Sequence, residues 1–145
     1  MTEPISLTRV LEAPRKRVRG EWTEPHRFAD WFGGADGEVP PSSVVMDVRV
    51  GGVVRAVMRT SGGTISWHGE YLGVLELDWL VFTLSTQPPP SARHAVVSVA
   101  FAELGEGRTE ILVLQRGSLS PAQASTARYG WSRSFDRLAE RLAAG

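Results

Sequence analysis

The sequence predicts an α+β domain, a large antiparallel sheet with a long C-terminal helix laid across one face. Three observations predict it. The stretch from Ser120 to Leu142 reads as one amphipathic helix, and the stretch from residue 43 to 117 falls into short runs of alternating apolar and polar residues. The runs are joined mostly by glycine pairs or three-residue connections, which suit antiparallel neighbours; parallel neighbours need crossovers.

In chain order, Ile5 to Leu11 alternates and is rich in β-branched residues, so it reads as a strand. Ala13-Pro14 ends it and opens a short helix over 15–22, with Val18 and Trp22 one turn apart. Gly20 costs that helix about 1 kcal/mol relative to alanine, so it must lean on tertiary packing. Thr23-Glu24-Pro25 is expected to cap a second short helix carrying Phe28, Trp31 and Phe32, and Gly33, Gly34, Gly37, Pro40 and Pro41 make a loop after it. Val44, Met46, Val48 and Val50 alternate up to Gly51-Gly52, which turns into the strand VVRAVMRT. Asp47 and Arg49 share a face there and are expected to pair with each other or with Arg55. Ser61-Gly62-Gly63 leads into TISWHGEYLGVL, with Ile65, Trp67, Gly69, Tyr71 and Gly73 on one face and Ser66, His68, Glu70 and Leu72 on the other. Three further strands follow, interrupted by the proline run at 87–90, which no ladder accommodates. In the final helix Ser120 and Gln123 form a capping box with Pro121 in the first turn. Ala124, Ala127, Trp131, Phe135, Leu138 and Leu142 make its apolar stripe, and Gly130 is expected to let the backbone approach the sheet.

At 145 residues the chain is expected to be one domain, 1–145, with a single core. Sixteen basic and sixteen acidic residues cancel, so no overall field draws the chain to nucleic acid or an anionic membrane. The absence of cysteine excludes disulfides and thiolate metal sites and suits a reducing compartment. With neither a signal-peptide pattern nor an apolar run of about 20 residues, the expectation is a cytoplasmic protein without membrane insertion.

Chemical motifs are sparse. His26, His68 and His94 fall on different elements without ligand spacing, so no metal site is expected, and nothing in the sequence implies a cofactor. His68 and Glu70, two apart on a strand, are the one candidate base and orienting partner. There is no G-x-S-x-G, and the glycine pairs are turns and not phosphate loops. Arg15, Lys16, Arg17 and Arg19 form the one basic cluster, read as solvated charge on a surface helix. Trp67, Tyr71, Phe82, Phe101, Trp131 and Phe135 are expected to face inward, as filled core or as the lining of a pocket. Tyr71, Arg55 and His68 are the candidate polar groups of its wall, although strand alternation sets His68 opposite Tyr71 unless a bulge intervenes.

Several local motifs, in order, resemble the START-like (SRPBCC) superfamily, and within it the family of the activator of Hsp90 ATPase. They are Ala13-Pro14 with Val18, Trp22-Thr23-Glu24-Pro25 with Trp31, Asp47-Val48-Arg49-Val50-Gly51-Gly52, Gly69-Glu70-Tyr71, Leu80-Val81-Phe82-Thr83 and Gly130-Trp131. The chain departs from the family pattern at Glu24, where aspartate is usual, and at Gly20, where alanine is usual. The resemblance implies a helix-grip (START/Bet v 1-like) fold: a curved sheet of six or seven strands around the C-terminal helix, with two short helices after the first strand. It implies a binding or regulatory domain holding a small hydrophobic molecule between sheet and helix. A chaperone regulator with a protein partner, or a polyketide cyclase or aromatase-like enzyme, are the alternatives, as monomer or homodimer.

Overall fold

The first strand ends up beside the last. In the computed structural model, which describes residues 4–34, 36–87, 94–117 and 119–144, β1 (Ile5–Leu11) pairs antiparallel with β7 (Arg108–Arg116), Leu7 opposite Val113. Between them run α1 (Arg15–Thr23), α2 (Pro25–Ala29), a 3-10 turn (Pro41–Ser43), β2 (Val45–Met46), β3 (Val53–Thr60), β4 (Gly63–Leu75), β5 (Trp79–Leu84) and β6 (Ala95–Gly105). All pairings are antiparallel, in the order β1-β7-β6-β5-β4-β3-β2, and α3 (Pro121–Ala144) follows β7. At ~1.5 Å per residue α3 is about 36 Å long, against about 29 Å across seven strands spaced ~4.8 Å apart.

Alternation along each strand sorts the side chains into two layers. Leu80 and Phe82 of β5, Val97, Val99 and Phe101 of β6, and Ile111 and Val113 of β7 face inward and are buried. They pack against α1, α2 and α3, whose buried residues include Val18, Trp22, Phe28, Phe135 and Leu138. No helix among the described residues is long and apolar enough to cross a membrane.

Four expectations need correction. The strand read over 44–50 is only two residues long, because the chain turns away at Asp47. Asp47 N–H donates to Val53 O, and Gly52 sits so close to Asp47 O that a Cβ there would collide with it. The Asp47 carboxylate takes Arg49 Nε at 2.8 Å, one of the two pairings expected of it. On β4 the alternation breaks at a bulge between Tyr71 and Gly73. Tyr71 stays inward, opposite Phe82, while Gly73 shifts to the outer face beneath the Trp79 ring and Val74 turns in.

The third correction concerns α2, which stops at Ala29 and leaves Trp31 and Phe32 in the following turn. Its N-cap, Glu24, makes no side-chain cap, and Thr23 Oγ1 donates back to Arg19 O instead. The fourth is Gly130: a Cβ there would meet nothing within 4 Å, so its lack of a side chain is not what admits α3 to the sheet. The proline run lies, from residue 88, outside the described residues.

Candidate functional site

The inner surface of the sheet, under the second half of α3, carries a continuous cluster of aromatic rings. Trp22 is its hub. It lies 4.8 Å from Trp31, 5.9 Å from Trp131, 6.2 Å from Phe135, 6.4 Å from Phe101 and 6.5 Å from Phe82, centroid to centroid. Phe32 extends the cluster sideways, 5.7 Å from Trp131 and 6.3 Å from the half-buried Trp67. Tyr71 joins through Phe82 at 6.1 Å. Offset and edge-on ring pairs of this kind contribute about 0.5–1.5 kcal/mol each beyond their area burial.

Polar groups in this interior divide into satisfied and unsatisfied ones. Trp131 Nε1 donates to Gln115 Oε1 at 2.7 Å, and Trp31 Nε1 donates to Glu21 O at 3.0 Å. The indole nitrogens of Trp22 and Trp67 are also buried, yet neither has a hydrogen-bond partner among the described residues. A buried donor without a partner costs about 1–3 kcal/mol. Tyr71 is buried as well. Burial pushes its phenol above the ordinary range, Arg19 opposes the shift and Asp47 adds to it, so Tyr71 stays a neutral hydroxyl.

Six of the expected residues, Trp67, Tyr71, Phe82, Phe101, Trp131 and Phe135, therefore meet in one place. Arg55 and His68 do not join them. They stand opposite each other on β3 and β4, on the face away from Ala56 and Trp67, with Arg55 exposed. Glu70 shares that outer face, so the His68–Glu70 pair has no access to the interior. His26 lies on α2 and His94 just before β6, and no three metal-ligating side chains cluster among the described residues. Gly69 does shape the site. A Cβ there would run into Thr83 O, so the glycine lets β4 lie close against β5 beside Tyr71.

The residues that sequence reasoning missed hold the helices in place. Glu21 on α1 is fully buried, and Arg141 near the end of α3 donates to it through Nε at 2.6 Å and Nη2 at 3.2 Å. Arg27 Nη1 reaches the same carboxylate at 3.4 Å and Arg17 Nε at 3.8 Å. Three guanidinium groups thus offset the cost of burying one carboxylate. The hydrogen bond to Glu21 raises the Arg141 pKa, partial burial opposes it, and the charges of Glu21 and Asp30 add to the rise. Arg137 donates to the carbonyls of Gly34, Gly37 and Asp30 at 3.1, 2.9 and 3.2 Å, tying the glycine loop to α3. The one local sign in the sequence is the i,i+4 spacing of Arg17 and Glu21.

Clefts also open elsewhere among the described residues. One of about 380 Å³ lies between α1 and the β4–β5 turn, lined by Lys16, Arg19, Gly20, Thr23, Glu24, Glu76 and Leu77. Another, about 240 Å³, is an apolar hollow on the outer face of β5, β6 and β7, around Trp79, Val81 and Leu112.

A meandering sheet gripping a C-terminal helix over an aromatic interior is the architecture of the START-like helix-grip proteins. The sequence profile described as Activator of Hsp90 ATPase homolog 1-like protein matches residues 12–143, and the chain belongs to that family. No curated protein matches the sequence. Among solved structures, a Chromobacterium violaceum protein is similar at 24% identity and a TM-score of 0.83, over 97% of this chain and 98% of its own. A family protein from Silicibacter pomeroyi is similar at 18% identity and a TM-score of 0.83, over 97% and 98%. The DynU16 protein of the dynemicin biosynthetic locus is similar at 19% identity and a TM-score of 0.74, over 99% of this chain and 48% of its own. At these identities the likenesses show the fold.

Proposed function

We propose that the protein is a binding or regulatory domain that holds a small apolar molecule between the inner face of the sheet and α3. The observation that carries this reading is the pair of unsatisfied indole donors, Trp22 Nε1 and Trp67 Nε1, in an otherwise aromatic interior. Mostly apolar walls with a few polar groups characterise small-molecule sites, and buried donors are ordinarily paired. The occupant these donors call for is a flat, largely apolar molecule carrying a hydrogen-bond acceptor. It enters beside the half-buried Trp67, displacing the contact between Trp67 and Phe32.

Native mass spectrometry of protein purified without lipid or detergent, followed by thermal-shift screening against lipids, aromatic polyketides and small metabolites, tests it. A co-purifying mass or a saturable shift with one compound class is the expected result. Trp67→Phe, which keeps an aromatic ring and removes the donor, should weaken that binding. A clean mass with no shift in any class overturns the reading and makes the interior an ordinary filled core. The family match favours a second reading, regulation of an Hsp90-type ATPase by direct contact. Stimulation of such an ATPase by the unliganded protein would support it, and an unchanged rate would remove it.

A further inference from the structure

The basic cluster at the start of α1 is not uniformly solvated. Arg15 pairs with Asp78 at 3.1 Å, and Arg17 stands 3.8 Å from Glu21. The other two cations, Lys16 and Arg19, have no carboxylate partner among the described residues, and both line the 380 Å³ cleft between α1 and the β4–β5 turn. Arg19 is half-buried, and its Nε is buried with no hydrogen-bond acceptor. Arg15, Arg17 and Arg27 also have a buried Nε without an acceptor, but each has a carboxylate within ion-pair distance; Arg19 lacks one.

The opposing charge is weaker than the lining suggests. Glu24 is engaged by Arg27 at 3.4 Å, which leaves Glu76 as the one lining carboxylate without an ion pair among the described residues. Glu24 lies against the α1 backbone at Gly20, where a Cβ would come within 2.9 Å of its Oε2. A half-buried guanidinium and an exposed ammonium that line one recess match an acceptor with two or more negatively charged oxygens.

We propose that this cleft binds an oxyanion, the carboxylate or phosphate of a small ligand, with Lys16 and Arg19 as its cations. Such binding does not require the aromatic interior to be occupied. Losing one charge-assisted contact should weaken the complex roughly tenfold.

The test is a titration of the 15N-labelled full chain with inorganic phosphate, acetate, phenyl phosphate and benzoate, following the arginine Nε–H signals. Saturable movement of the Arg19 Nε–H signal, identified by its loss in Arg19→Gln, is expected. Lys16→Gln, at an exposed position that does not threaten folding, should weaken binding roughly tenfold, and Glu76→Gln should tighten it. Arg59→Gln, the same charge change at an exposed site on β3, should leave the affinity unaltered. Tighter binding of phenyl phosphate or benzoate than of the free ions assigns the oxyanion to an organic ligand, and equal affinities assign it to the ion itself. An Arg19 signal that does not move, or an Arg59→Gln loss as large as that of Lys16→Gln, overturns the proposal.

Discussion

The two halves of α3 are one continuous helix, but they are held by different forces. From Trp131 to Leu142 the helix buries Trp131, Ser134, Phe135, Leu138 and Leu142. That half is also tied sideways: Arg9 of β1 meets Asp136 at 2.9 Å, Arg137 holds the glycine loop, and Arg141 reaches Glu21. From Pro121 to Gly130 no residue is buried, and Tyr129 is 61% exposed. From that half Arg128 Nη1 donates to Ser6 O of β1 at 3.1 Å. Packing fixes the second half, whereas local propensity and a capping box fix the first. The residues meeting the aromatic interior all come from the packed half, and the exposed half has the least packing to lose when the helix opens.

The largest effect should come from removing the anchor of the packed half. Trp131→Ala leaves a cavity among Trp22, Phe32 and Phe135 and should cost about 3–5 kcal/mol by denaturant melt. A cost below about 1 kcal/mol would mean that the ring cluster does not anchor α3 and that the contrast between the halves is wrong.

How far this was legible in the sequence follows the range of each signal. Strand alternation and short connections showed six or seven strands and the order of elements, because both are local properties of the chain. The apolar stripe from Ala124 to Leu142 showed which face α3 presents. It did not show that Ala124 and Ala127 stay half-exposed, because that depends on how far sheet and helices reach beneath them. The inward aromatics were legible from strand parity, and the same parity correctly set His68 against Tyr71. The bulge that did occur lies one step further on and moves Gly73 instead. Glu21 was illegible as a buried group. Its burial is completed by Arg141, 120 residues later, and nothing local to α1 distinguishes it from a solvated glutamate.

That lock gives the next effect in size. Glu21→Gln keeps the shape but removes the charge that Arg141, Arg27 and Arg17 share, and should cost about 2 kcal/mol. If the Arg141 contact carries most of this, Glu21→Gln combined with Arg141→Gln should cost less than the two single changes added together. Strict additivity in the double-mutant cycle would show that Glu21 stabilises α1 without coupling it to α3.

The smallest effect separates the halves most cleanly. Ser120 Oγ accepts the Gln123 N–H at 3.1 Å, and Gln123 Oε1 accepts the Ser120 N–H at 2.9 Å, so the capping box is complete. Ser120→Ala removes one side of it and should cost the helix end about 1 kcal/mol. Because little tertiary packing holds residues 121–130, the loss should appear there as faster amide hydrogen exchange, by roughly fivefold for a change of that size. Exchange over 131–142 should barely change, since those amides open only when the ring cluster and the Glu21 lock let go. Equal acceleration along the whole helix would show that α3 opens as a single unit, and the yielding half would then have to be sought in the loop that Arg137 holds.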